Sequence, residues 1–127
     1  MDEAKSVLLF AAEVDQLETL CRGLSYLGLP CRPARSVAQA LAVLGSPEAL
    51  RIDVMLVDVT ASGAVGVGLV ARARALRPEL SVLLVAGLVL APEVIALRAQ
   101  GIPLLRKPFT PEELGRAVEA LRRRDRS

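Results

Sequence analysis

The chain has 127 residues, 53% apolar and 24% charged, with 16 basic and 14 acidic side chains and a net charge of +2. That is one domain, long enough to bury a sizeable core and too apolar for a disordered tail, and its charge is too balanced to point to a nucleic-acid or membrane partner. Histidine is absent, which excludes imidazole metal ligands, a Ser-His-Asp triad, a Cys-His dyad and a histidine phosphotransfer site.

The first apolar run, residues 7–10, has strand length and no polar alternation. Val14, Leu17, Cys21, Leu24 and Leu27 then fall at helical spacing, and Gly28 is placed to end that helix. Residues 30–34 predict a second strand, and Pro30 and Pro33 assign it to a sheet edge, because a proline has no N–H to give to a ladder. Ser36 suits the N-cap of a helix over 37–44, with Gly45 after it. Residues 54–57 and 82–85 are further continuous apolar runs, and runs of that kind belong to parallel strands covered on both faces. Residues 66–76 predict a helix stopped by Pro78, and residues 92–100 another closed by Gly101. A short strand over 104–106 ends at Lys107-Pro108. Thr110-Pro111-Glu112-Glu113 is a capping box with proline at the first helical position, and Leu114, Ala117, Val118 and Leu121 follow as the buried stripe.

Five βα units in succession, without linker or repeat, predict a three-layer doubly wound α/β sandwich with a parallel sheet and right-handed crossovers. The domain spans 1–127, with a core over about 6–121 and a basic tail over 122–127. Cys21 and Cys31 form no CxxC pair and suit neither a zinc site nor a disulfide scaffold, so both read as small apolar side chains in a reducing compartment. The run after Lys5 is too short for a signal peptide, and residues 82–91 are half the length of a membrane span. The expected location is the cytoplasm.

Ligand chemistry in such sheets gathers at the carboxyl ends of the strands. Asp58 and Lys107 stand at two of those ends. Lys107 is one of two lysines against 14 arginines, a compact ammonium in an arginine-rich chain. The stretch from Asp58-Val59-Thr60 through Ala61-Ser62-Gly63 to Gly66, and the stretch Leu105-Arg106-Lys107-Pro108-Phe109-Thr110 running into the last helix, together resemble the receiver domains of two-component response regulators. The resemblance covers about 7–121. It implies a flavodoxin-like sheet in the order 2-1-3-4-5, Asp58 as acceptor of a phosphoryl group from a histidine kinase, Lys107 as its contact, and a cis bond before Pro108.

The chain departs from that pattern at four positions. Ala11 and Ala12 match the acidic pair that holds Mg²⁺ in the family, and alanine cannot ligate a hard cation. Glu13, Asp58 and the Thr60 carbonyl remain as a poor substitute set. Ala86 matches a hydroxyl residue and Leu104 an aromatic switch residue, so the parts that couple phosphorylation to the last strand are missing. Asp58 then reads either as a phosphoacceptor or as a structural partner of Lys107, and the losses favour the second. Glu13 reads as solvated or capping.

Three other features read as ordinary structure. Gly63-Ala64-Val65-Gly66-Val67-Gly68 has the reverse of the dinucleotide spacing and reads as a loop and helix start. Ser62 has no base beside it. Arg122, Arg123, Arg124 and Arg126 lack interleaved aromatics and read as cations completing a helix C-terminus.

The expectation is a pseudo-receiver, not an enzyme, that needs no cofactor. It works by contact with a protein partner such as a histidine kinase or a downstream signalling protein, through its fourth helix, last strand and last helix, which also offer a homodimer face. The alternative is a working phosphoacceptor with Asp58 as nucleophile, Lys107 as clamp and Mg²⁺ held in part by Glu13.

Overall fold

The computed structural model describes residues 5–60 and 63–126, with the side chains of residues 125 and 126 left aside. Ala61, Ser62 and Ser127 lie outside the described residues, so the reading of Ser62 stands as a sequence expectation. Eleven elements follow in order: β1 (Ser6–Phe10), α1 (Val14–Tyr26), β2 (Cys31–Ala34), α2 (Val37–Leu44), a 3₁₀ turn (Pro47–Arg51), β3 (Ile52–Asp58), α3 (Gly63–Leu76), β4 (Ser81–Ala86), α4 (Pro92–Ala99), β5 (Leu104–Arg106) and α5 (Pro111–Arg126).

All strands are parallel, in the order β2-β1-β3-β4-β5. The continuous apolar runs follow from that arrangement. Successive side chains of a strand point to opposite faces. Leu8, Phe10, Met55, Val57, Leu84 and Ala86 therefore enter a core under α2, α3 and α4. Val7, Leu9, Val54, Leu56, Leu83 and Val85 enter a second core under α1 and α5. A strand buried on both faces cannot alternate apolar with polar.

The second strand lies at the edge, bonded to β1 alone, and Pro33 is tolerated there opposite Leu9. Pro30 stands just outside it and accepts from the Val7 N–H through its carbonyl. Ser36 caps α2, its side chain accepting from the Gln39 N–H at 3.0 Å. The capping box of α5 closes in both directions: Glu113 N–H donates to Thr110 Oγ1 at 3.1 Å, and Thr110 N–H donates to Glu113 Oε1 at 2.9 Å.

The structure departs from the sequence reading at the third helix and at the connection before β3. The third helix begins at Gly63, so the glycine-rich stretch is the helix's first turns and not a loop. A Cβ on Gly66 would stand 2.5 Å from Val59 Cγ1, so this glycine is where α3 closes onto the sheet. The 3₁₀ turn at Pro47–Arg51 has no counterpart in the sequence reading. The basic end lies in the last turns of α5, which runs through Arg126, in keeping with the reading of its arginines as cations at a helix C-terminus; Arg122 also makes a two-bond fork with Asp53, Nε to Oδ2 at 2.7 Å and Nη2 to Oδ1 at 3.1 Å.

Candidate functional site

Asp58 is the last residue of β3, the central strand, and among the described residues it is the one buried charged residue. Its side chain is 3% exposed. Burying a carboxylate is costly unless it is paired and hydrogen-bonded. Both conditions are met. Oδ2 accepts from Lys107 Nζ at 2.8 Å, and Oδ1 accepts from the Thr60 N–H at 2.8 Å. The second bond is an Asx-type turn that bends the chain out of the strand.

Lys107 reaches Asp58 because β4 aligns the last strand. Lys107 N–H donates to the Ala86 carbonyl at 2.8 Å, and the Lys107-Pro108 bond is cis, as the resemblance implies. The ammonium also donates to Gln16 Oε1, from the first turn of α1. Gln16 was not singled out from the sequence. It sits 91 positions from Lys107, and a lone glutamine on an amphipathic helix carries no signal of its own.

The remaining candidates frame this pair. Ala11 is buried with the α1 and α5 core, and Ala12 is exposed. Ala86 is buried at the end of β4. Leu104 packs, partly buried, on the α4 side. Glu13 occupies the N-cap position of α1 and is exposed, but its side chain makes no capping bond, which corrects the capping part of the expectation. Thr60 is exposed and contributes its N–H to Asp58.

The receiver resemblance implies Mg²⁺, and the donor set does not fit it. A Mg²⁺ site needs near-octahedral oxygen ligands, usually one or two carboxylates. Both Asp58 oxygens already accept hydrogen bonds, two alanines stand where the acidic pair belongs, and Glu13 is turned to solvent. No described group of three or more Cys, Asp or Glu side chains is arranged to hold a metal ion, and no described buried side-chain nitrogen or oxygen lacks a partner. The pair is therefore electrostatically closed without a cation.

No protein-family model and no curated protein matches the sequence. Solved structures do. The chain is similar to a response regulator receiver domain protein from Clostridium thermocellum, with 20% identity, a TM-score of 0.80, and 96% of this chain and 97% of that one covered. A CheY-like receiver domain protein from Methanospirillum hungatei JF-1 gives 20% identity and a TM-score of 0.79 over 98% of each chain. A response regulator receiver protein from Sinorhizobium medicae WSM419 gives 26% identity and a TM-score of 0.75 over 94% of each. The chain has the receiver-domain fold of two-component response regulators. No described helix is long and apolar enough to cross a membrane.

Proposed function

We propose that this chain is a signalling module of the two-component type, a pseudo-receiver that works by protein–protein contact and not by Mg²⁺-dependent phosphorylation of Asp58. It acts in the cytoplasm and is not an enzyme. The observation that carries the reading is the closed pair of Asp58 and Lys107, flanked by Ala11, Ala12 and Ala86 where ligands and a hydroxyl would be needed. Phosphoryl transfer is positioning and charge stabilisation, and this site has lost the groups that supply most of both.

In place of that chemistry, the pair is a fixed strut. Asp58 closes the end of β3, Lys107 closes the end of β5, and Gln16 brings in the start of α1. A rigid scaffold of this kind presents the surface beside it. Leu88 and Val89 after β4, and Ile95 on α4, are exposed large apolar side chains. Exposed apolar groups in this part of the chain support a contact with a protein, either a signalling partner or a second copy.

One observation favours the second reading, a working phosphoacceptor: Asp58 and Lys107 keep the relative placement that the resemblance implies for acceptor and clamp. A Mg²⁺ titration followed by backbone amide NMR separates the two. The pseudo-receiver reading predicts no saturable shifts. Saturable shifts confined to Asp58, Thr60 and Glu13 would sink it.

A further inference from the structure

The sequence has two cysteines, and the fold brings them together. Cys21 lies on the inward stripe of α1, beside Leu17, Leu20 and Leu24. Cys31 opens β2, opposite Val7, on the face of the sheet that α1 covers. Their sulfurs stand 3.5 Å apart, and Cys31 Sγ donates to Cys21 Sγ. Both thiols are free and only partly buried, at the edge of the core. Apolar packing alone does not call for two thiols in contact. Any small aliphatic pair would fill the space.

We propose that Cys21 and Cys31 are a peroxide-responsive dithiol, oxidised to an intramolecular disulfide that ties α1 to the edge strand.

The chemistry is balanced with a hydroperoxide as the oxidant. The Cys21 sulfur attacks one peroxide oxygen and the O–O bond breaks. Cys21 becomes a sulfenic acid, and the other oxygen leaves as water or the corresponding alcohol. The Cys31 sulfur then attacks the Cys21 sulfur, the S–O bond breaks, and the hydroxyl leaves with the thiol proton as water. Two thiols lose two electrons and two protons in all. Cys21 takes the first step because its neighbour, Cys31, is the sulfur held back as a thiol. Burial, and then the Cys21 thiol beside it, push the Cys31 thiol up to about 12, which slows its own reaction with peroxide and leaves it to the second, resolving step.

The geometry permits closure. A disulfide is about 2.05 Å long, so the sulfurs must approach by roughly 1.5 Å more. The movement falls at the first residue of an edge strand, bonded on one side only. The connection between them leaves α1 at its C-cap Leu27 and turns at Gly28 with φ 72°, so the loop that the disulfide would close is short and already folded back. In a reducing compartment the pair rests as thiols, ready for a transient oxidant.

The test uses the whole chain, fully reduced, treated with hydrogen peroxide in native buffer, then alkylated with N-ethylmaleimide and weighed intact. The expected product is a monomer lighter by two hydrogen atoms that takes up no maleimide, and dithiothreitol restores uptake at both sites. In Cys31→Ser, dimedone should trap a sulfenic acid on Cys21; in Cys21→Ser, dimedone should add nothing. Uptake at both thiols after peroxide, or a disulfide-linked dimer as the main product, would overturn the proposal. The wild-type mass decides the matter even if a variant fails to fold.

Discussion

Asp58 and Lys107 show how one ion pair fixes the carboxyl end of a sheet. Truncating one partner of a fully sealed ion pair costs about 3–5 kcal/mol, because the other charge is left buried alone. Here the two ends differ. The Asp58 side chain is 3% exposed and the Lys107 side chain 24%. Lys107→Met leaves the carboxylate with the Thr60 N–H alone, and solvent at the lysine end discounts the loss to about 2 kcal/mol. Asp58→Asn keeps an acceptor for Thr60 and leaves a partly exposed ammonium on Gln16 and water, a loss of about 1 kcal/mol. Urea unfolding should therefore place Lys107→Met below Asp58→Asn in stability. The reverse order would mean that the carboxylate is not the more constrained partner. The sequence pointed to both residues because each ends a strand with its charge. It could not point to Gln16, whose role depends on a contact between the first helix and the last strand. The fork between Arg122 and Asp53 was hidden for the same reason, spanning 69 positions between residues that look like surface charges.

At the scale of elements, legibility followed locality. The capping box of α5 and the Ser36 cap of α2 are made within four residues and were readable from the chain. The start of α3 was not. Gly63, Gly66 and Gly68 each disfavour helix by about 1 kcal/mol relative to alanine, so propensity argues for a loop. Packing overrides it, because Gly66 lets the helix approach Val59 more closely than a Cβ would allow, and Val57 tightly as well. The two interior glycines should therefore respond in opposite directions. Gly66→Ala forces a methyl against Val59 and should cost about 1–3 kcal/mol. A methyl on Gly68 would meet nothing within 4 Å. Gly68→Ala should gain about 0.5–1 kcal/mol. Thermal melts of the two variants should move apart on either side of wild type. Movement in the same direction would contradict the packing role of Gly66 in the third helix.

The whole molecule is a parallel sheet whose layers were legible from hydrophobic pattern alone. Three unbroken apolar runs required cover on both faces, and the prolines near the second strand required an edge. The order of the remaining strands came from the receiver resemblance, and the structure has that order. Function is less legible, since a fold of this class serves many roles and its use is decided at the site. The site here keeps Asp58 and Lys107 in contact and has alanines where the resemblance implies an acidic pair, and the proposed function takes Asp58 as a structural carboxylate. Intact mass after incubation with acetyl phosphate and Mg²⁺, with Asp58→Asn as control, tests that claim most directly. An unchanged mass is expected for both proteins while each remains folded. A phosphoryl adduct on wild type, absent from Asp58→Asn, would contradict the claim and make this chain a working phosphoacceptor.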